Sequence, residues 1–410
     1  MRHAVLLLAA ALLVACESGP ADLTVGAVEF RGPPGSLAPR LGVTGDRAVL
    51  SWLEPAGAGR HALRVATLAD TGWVPAGTVV VHDSLFVNWA DVPSVLPLTD
   101  GTWLAHWLEK TAPSTYAYHV RMALSSDAGR TWGAPFSPHG DRSPTEHGFV
   151  AMVPWGGGAA AVWLDGRNTL APTRPPAHPP TRGAEGEGGA GPMSLRFTTI
   201  RSSGAVAPDV ELDARVCDCC QTAIAPTRHG LLVAYRDRSP AEIRDIVVTR
   251  LVDDQWTAPR PVADDGWYYP GCPVNGPAVA TAGDTVVVVW FTAAHDTARV
   301  FAAISHDGGA RFGPRVRIHD ERPVGRVDVV WWRGAALVAW LEETADAGAV
   351  RVRRLAADGR PGPAVTVAPT SVARAAGFPR LAPVGTAVLV AWTDPEATGG
   401  VRVARVRGGS

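Results

Sequence analysis

Seven times along the chain, a short apolar run ends on an aromatic residue, and the spacing between these ends is nearly constant. The runs 48–52, 103–107, 159–163, 231–235, 286–290, 336–340 and 388–392 close on Trp52, Trp107, Trp163, Tyr235, Trp290, Trp340 and Trp392. The intervals are 55, 56, 72, 55, 50 and 52 residues. A period near fifty, built from β-branched runs and Gly- or Asp-containing turns, describes a repeat that cannot bury its apolar face alone. Four strands per unit and seven units predict an all-β chain folded as a seven-bladed β-propeller, with six blades as the alternative.

Within each unit a third strand follows the aromatic, expected at 61–68, 117–124, 193–200, 244–251, 298–304, 350–355 and 401–406. The last of these runs to the end of the sequence, so the seventh unit has no fourth strand of its own. The strand-like stretch 22–30 has no unit of its own. It is predicted to pair as the outer strand of the last blade, removing the raw edges of an open array. The long interval of 72 contains Pro-rich and then Gly/Glu-rich sequence. Residues 171–192 therefore read as a flexible insert between the second and third strands of blade 3.

With a net charge of −1 over 410 residues, no net basic balance points to nucleic acid. At the N-terminus, Arg2 and His3 precede an apolar run from 4 to 15, too short to span a bilayer as a helix. The run ends Leu13-Val-Ala-Cys16, which resembles the lipobox of bacterial lipoproteins. That resemblance implies a signal peptide over 1–15, lipidation of Cys16, a tether over 16–21 and a propeller over 22–410. The expected location is the cell envelope, lipid-anchored to a bacterial membrane and facing periplasm or exterior, as a monomer. Export would place the other four cysteines in an oxidising compartment.

Two turns after third strands read Ser125-Ser-Asp-Ala-Gly-Arg-Thr-Trp132 and Ser305-His-Asp-Gly-Gly-Ala-Arg-Phe312. They resemble the Asp-box (BNR) turn of sialidase-like propellers. Those enzymes have six blades, and seven repeats are counted here.

Strand direction alternates within a blade, so loops entering first strands share a face with loops leaving second strands. The unusual polar residues gather on that face, where propellers place function. Entering loops carry Asp91, Glu146, the Cys217-Asp-Cys-Cys segment, Tyr268, Tyr269, Cys272, Arg326 and Arg380; leaving loops carry Arg167, Arg236 and Arg238. The residue two after the aromatic is acidic in six units: Glu54, Glu109, Asp165, Asp237, Glu342 and Asp394. Two readings stand: carboxylates that bond loop amides or pair with arginines, or a rim that binds cations or sugar hydroxyls.

Cys217, Cys219 and Cys220 enter blade 4 and Cys272 enters blade 5, so the sulfurs should meet near the channel mouth. Disulfides stapling neighbouring blades are one reading, with Cys272 paired to one of the three, because a bond between adjacent Cys219 and Cys220 would be strained. A thiolate site for Cu or Zn, with His147 as a further ligand, is the other. No other cofactor is expected.

The sialidase resemblance implies a tyrosine nucleophile polarised by glutamate, an aspartate acid/base and an arginine clamp on a carboxylate. On this chain the types fall on Tyr268 or Tyr269, Glu146, Asp91, and Arg167, Arg236, Arg238, Arg326 and Arg380. The family's Arg-Ile-Pro motif is echoed only by Phe30-Arg31-Gly-Pro-Pro. The resulting expectation is glycan binding or glycoside hydrolysis at the channel mouth. The competing one is a non-catalytic scaffold or metal-handling propeller.

Overall fold

A computed structural model describes residues 23–45, 47–170, 191–345, 347–396 and 398–409. The signal segment, Cys16, the tether and nearly all of the insert lie outside the described residues.

Seven antiparallel sheets are arranged so that each inner strand touches the inner strand of the next, the last touching the first. The ring is a seven-bladed β-propeller. Blade 1 is Leu37–Thr44, Arg47–Pro55, His61–Ala69 and Gly72–His82. Blade 2 is Ser94–Pro97, Trp103–Lys110 and Tyr118–Ser125. Blade 3 is His147–Trp155, Gly158–Asp165, Ser194–Arg201 and Val210–Asp213. Blade 4 is Ala223–Thr227, Gly230–Arg236, Ile246–Val252 and the split outer pieces Gln255–Trp256 and Arg260–Pro261. Blade 5 is Ala278–Ala282, Thr285–Thr292, Arg299–Ser305 and Val316–Arg317. Blade 6 is Arg322–Trp332, Ala335–Glu343, Gly348–Ala356 and Pro361–Thr370.

Blade 7 is Arg380–Val384, Ala387–Asp394 and Gly400–Gly408, closed by Leu23–Arg31 from the other end of the sequence. The expected closure is therefore present. The expectation of four strands in every unit needs one correction. In blade 2 the fourth strand shrinks to a single bridge between Met122 and Phe136. Pro135 and Pro138 flank that bridge, and a proline has no N–H to give a ladder.

The repeated aromatics are the packing core between sheets. Trp163, Trp290 and Trp340 are fully buried; hiding one such side chain contributes roughly 4–6 kcal/mol gross. The repeated carboxylates belong to the same device. Trp52, Trp163 and Trp340 donate their indole N–H to Glu54, Asp165 and Glu342 at 2.8, 2.9 and 2.9 Å. Directly across the ladder from Trp52, Trp107, Trp340 and Trp392 stand Arg64, Arg121, Arg351 and Arg402. Each lies within 4 Å of the carboxylate of its own blade: Glu54, Glu109, Glu342 and Asp394. Blades 4 and 5 have Val247 and Phe301 at that cross-strand position. There Tyr235 turns instead to Asp213 at 2.6 Å, and Trp290 to Asp265 at 2.6 Å. In blades 1, 3 and 6 the acid is bonded to the aromatic, and in blades 1, 2, 6 and 7 it faces the cross-strand arginine, which favours the architectural reading over the rim.

The turns 125–132 and 305–312 also fold as their residues dictate. Asp127 and Asp307 accept the backbone N–H of Thr131 and Arg311, each at 2.9 Å. Gly129 and Gly309 hold φ of 83° and 82°. These turns lie beside the connections between first and second strands, as the bond from Gly308 N–H to Asp284 O shows. The entry loops occupy the opposite face.

Candidate functional site

The entry loops are stitched blade to blade around the channel. A side-chain oxygen from one blade accepts a backbone N–H at the head of the next. Asp91 takes Phe149 N–H at 2.7 Å, Gln221 takes Gly276 at 2.9 Å, Asn275 takes Arg326 at 2.7 Å and Asp328 takes Leu381 at 2.8 Å. Phe149 and Arg326 have φ of 53° and 56° and sit where the ladder register shifts. Their N–H groups thus leave the sheet and need another acceptor. Much of the polar character noted on this face is therefore spent on holding the ring together.

One cluster exceeds that need. Tyr118, at the head of the third strand of blade 2, places its hydroxyl 3.0 Å from Asp91 Oδ2 and 2.6 Å from Glu146 Oε1. The tyrosine and Asp91 are each 1% exposed, while Glu146 is partly exposed. The phenol ring stacks on Phe86, centroids 4.1 Å apart. Gly148 is required beside them: a Cβ there would meet Asp91 Oδ2 at 1.9 Å and Tyr118 Cε2 at 2.8 Å.

Counting protons decides the state of this cluster. One phenolic hydrogen cannot serve two carboxylate oxygens at once, so two ionised acids would leave one bare oxygen pressed against the phenol oxygen. A proton retained on one carboxyl removes that conflict. Burial pushes Asp91 up to about 7, against the pull of Phe149 N–H and Tyr118. Burial, with the charges of Asp91 and Asp218, pushes Glu146 up to about 8, against its bond from Tyr118. The trio holds a proton at neutrality that a free carboxyl would have lost.

Between about pH 4 and pH 8 the folded state binds protons that the unfolded state has released. This stabilisation is complete below the unfolded carboxyl range and is lost as pH rises through the folded values. Moving from about pH 5.5 to about pH 8.5, the wild type should lose roughly 2 kcal/mol more stability than Glu146→Gln in denaturant titrations. Equal losses in the two proteins would show that the carboxyl titrates normally.

The four cysteines form two disulfides, Cys217–Cys220 and Cys219–Cys272, with Cα separations of 5.8 and 5.9 Å. The second joins the entry of blade 4 to that of blade 5. Between the bonded sulfurs, Asp218 is held out toward Arg238, which it meets at 2.9 Å. Arg238 also pairs with Glu242 at 3.0 Å, and Glu242 with Arg244 at 2.7 Å. Asp218 is one of the charges that Glu146 feels. The cysteine loop therefore presents a fixed anion next to the Tyr118 cluster.

The predicted arginines are distributed differently from one another. Arg167 is held by Asp165 at 2.7 Å and lies 3.4 Å from Asp209. Arg236, 1% exposed, donates to the carbonyls of Asn275, Arg244 and Phe291 and lies over Trp267 at 4.7 Å. Arg238 is within the Asp218–Glu242 network. Arg326 donates to the carbonyls of Val372, Ala373 and Gly377 and stacks on Trp89. Arg380 alone of the five lines the channel, together with Arg40, which sequence reasoning missed. Tyr268 and Tyr269 are 63% and 39% exposed, and Tyr269 packs on Trp267. The structure thus gathers Asp91 and Glu146 about Tyr118, and gives Tyr268 and Tyr269 no carboxylate partner among the described hydrogen bonds.

Sequence reasoning singled out only His147 of a histidine cluster in blades 2 and 3. The rings of His119, His139 and His147 lie 4.3–5.1 Å apart. Each turns one nitrogen to a backbone carbonyl: Ser143, Asp141 and Thr145 respectively. Those bonds fasten the loop that delivers Glu146, and His147 adds a 3.0 Å contact to Asp141.

Among solved structures, the fold is similar to that of polysaccharide lyase Uly1, with a TM-score of 0.53 and 9% identity over 97% of this chain and 94% of that one. It is similar to a protein of unknown function from Dyadobacter fermentans, with a TM-score of 0.52 and 14% identity over 94% of this chain and 99% of that one. NanB sialidase from Streptococcus pneumoniae is more distant, at a TM-score of 0.45 and 8% identity over 95% of each chain. At these identities the likeness is one of fold. No family model matches the sequence, and no curated protein does.

Proposed function

We propose that this is an exported, Cys16-anchored lipoprotein that processes glycans at the channel mouth, with Glu146 as the proton-carrying group. The observation that supports this most directly is the single phenolic hydrogen shared between two carboxyls. A carboxyl that stays protonated at neutral pH and is partly exposed is what general-acid assistance to a departing sugar oxygen needs. Tyr118 and Asp91 lie behind it and hold that proton in place. The same residue types, a tyrosine on a glutamate with an aspartate beside them, are what the sialidase resemblance implied, carried here by Tyr118 in place of Tyr268 or Tyr269. The two disulfides fit an oxidising compartment outside the cytoplasm.

The experiment is turnover of a panel of 4-methylumbelliferyl glycosides, the α-N-acetylneuraminide included, by wild type, Glu146→Gln and Tyr118→Phe. Loss of the acid is expected to lower kcat/KM about a hundredfold or more, with Tyr118→Phe shifting the pH profile to higher pH, because the bond from Tyr118 holds the Glu146 pKa down. Glu146→Gln turning over like the wild type, or a wild type inert on the whole panel, would sink the reading.

One observation favours a second reading. The sulfurs of Cys217, Cys219 and Cys220 lie within 4.8 Å of one another, close enough to share one soft ion such as Cu(I) or Zn once the disulfides are reduced. Metal analysis of protein purified with and without reductant separates the two readings: stoichiometric metal only in the reduced sample would favour metal handling.

A further inference from the structure

The inner strands carry one position that recurs in every blade and points into the channel. It pairs across the ladder with the residue just before the repeated aromatic. In blades 6, 7, 1 and 2 that position is Asp328, Arg380, Arg40 and Ser94, opposite Ala339, Ala391, Ser51 and His106. In blades 3, 4 and 5 it is Ala151, Ala223 and Ala278, opposite Val162, Ala234 and Val289. All seven residues line one cavity of about 200 Å³ on the propeller axis. At this position the ring is polar and cationic over four blades and alanine over three, with Gln221 and Thr222 also in the lining.

Both arginines keep unpaired donors among the described residues, although Arg380 also lies over the Phe378 ring at 5.2 Å. Arg380 is 7% exposed, and its Nε and Nη2 meet no hydrogen-bond partner among the described residues. Arg40 Nε is likewise buried without one. Asp328 is a counter-charge to both arginines, but it takes no hydrogen bond from either among the described residues; its oxygens accept the N–H groups of Leu381 and Val329 at 2.8 and 3.0 Å. Each guanidinium is held down from its usual pKa by burial, and the charge of Arg380 adds to the effect on Arg40, while Asp328 pulls both back up and Asp91 does so for Arg40. Two buried cations facing one cavity with donors unspent favour an anion between them.

We propose that the axial cavity binds a small oxyanion, a phosphate or the carboxylate of a small acid, bridged by Arg40 and Arg380 with the alanine wall opposite. Guanidinium forks suit either oxyanion. The volume holds several waters' worth of ligand and falls below the ~300–1,000 Å³ of sites for larger molecules. It therefore excludes a glycan chain; the cavity adjoins the Tyr118 cluster, since Arg40 also lines a small pocket with Asp91 and feels its charge.

The test is calorimetric titration of the intact chain with sodium phosphate and, separately, sodium acetate, each against sodium chloride at equal ionic strength. Saturable binding of at least one anion is expected; which one binds identifies the class. Arg40→Met and Arg380→Met should each weaken it more than about tenfold. Ala278→Leu changes no charge but fills the methyl side of the cavity, and should weaken it as much; it decides the matter if an arginine variant fails to fold. The proposal is overturned if neither anion binds beyond chloride, or if Arg380→Met and Ala278→Leu both bind like the wild type.

Discussion

Replacing Arg236 with methionine should cost about 3–5 kcal/mol of folding stability, because it strips a buried cation from the backbone carbonyls it bonds. Arg236 ends the second strand of blade 4, and its guanidinium donates to Asn275 O at 2.9 and 2.7 Å, to Phe291 O at 2.6 Å, and to Arg244 O. Three chain segments of blades 4 and 5 converge on one side chain. Burial lowers its pKa to about 9, with Asp265 and Asp245 pulling it back up, so it is still charged at neutrality. Methionine fills much of the space but donates nothing, leaving several buried carbonyls unpaired. The measurement is the denaturant midpoint at neutral pH, with turnover compared well below the transition. A large fall in midpoint with unchanged turnover is expected. A variant that unfolds with the wild type but no longer recognises substrate would return Arg236 to the ligand clamp.

That contrast shows where the sequence was legible. The repeat period and the aromatic run-ends report burial, and burial is local and periodic. The seven blades and the closure by Leu23–Arg31 could therefore be read directly. The site depends on which way a side chain points after the chain has closed. Tyr116 and Tyr118 are two residues apart, one 50% exposed and the other 1%. Their exposure differs because the strand begins only at Tyr118, whose side chain shares the core face with Val120 and Met122. A tyrosine on the core face reads as packing until Asp91 and Glu146 are seen to converge on its hydroxyl from two other loops. Arg40 could have been found. It stands twelve residues before Trp52, in the tripeptide Pro39-Arg-Leu, and Arg380 stands twelve before Trp392 in Pro379-Arg-Leu. Aligning the repeats on their run-ends and comparing the residues twelve positions earlier would have placed both on the axis.

Removing the two disulfides separately should give unequal losses, and the order tests how the cysteine loop works. Cys219–Cys272 spans 53 residues and Cys217–Cys220 only 3. Loop-closure entropy puts the first at about 4 kcal/mol and the second at about 2 kcal/mol. Exposure separates them again: Cys272 is exposed, whereas Cys217 and Cys220 are 1% and 2% exposed. Mild reductant should therefore open the interblade bond first, with two thiols labelled before the other two. The Cys219→Ser/Cys272→Ser double variant is expected to lose about 4 kcal/mol and Cys217→Ser/Cys220→Ser about 2 kcal/mol, by denaturant midpoint. The short bond has its effect elsewhere. It fixes Asp218 against Arg238 and beside Glu146, so opening it should relax the charge that helps to keep Glu146 protonated. The pH dependence of stability would then move toward that of an ordinary carboxyl even where the total loss is small. If the short-bond variant lost more stability than the long-bond variant, or left the pH dependence untouched, the loop would be a plain staple, and its anion would have no part in the chemistry at the mouth.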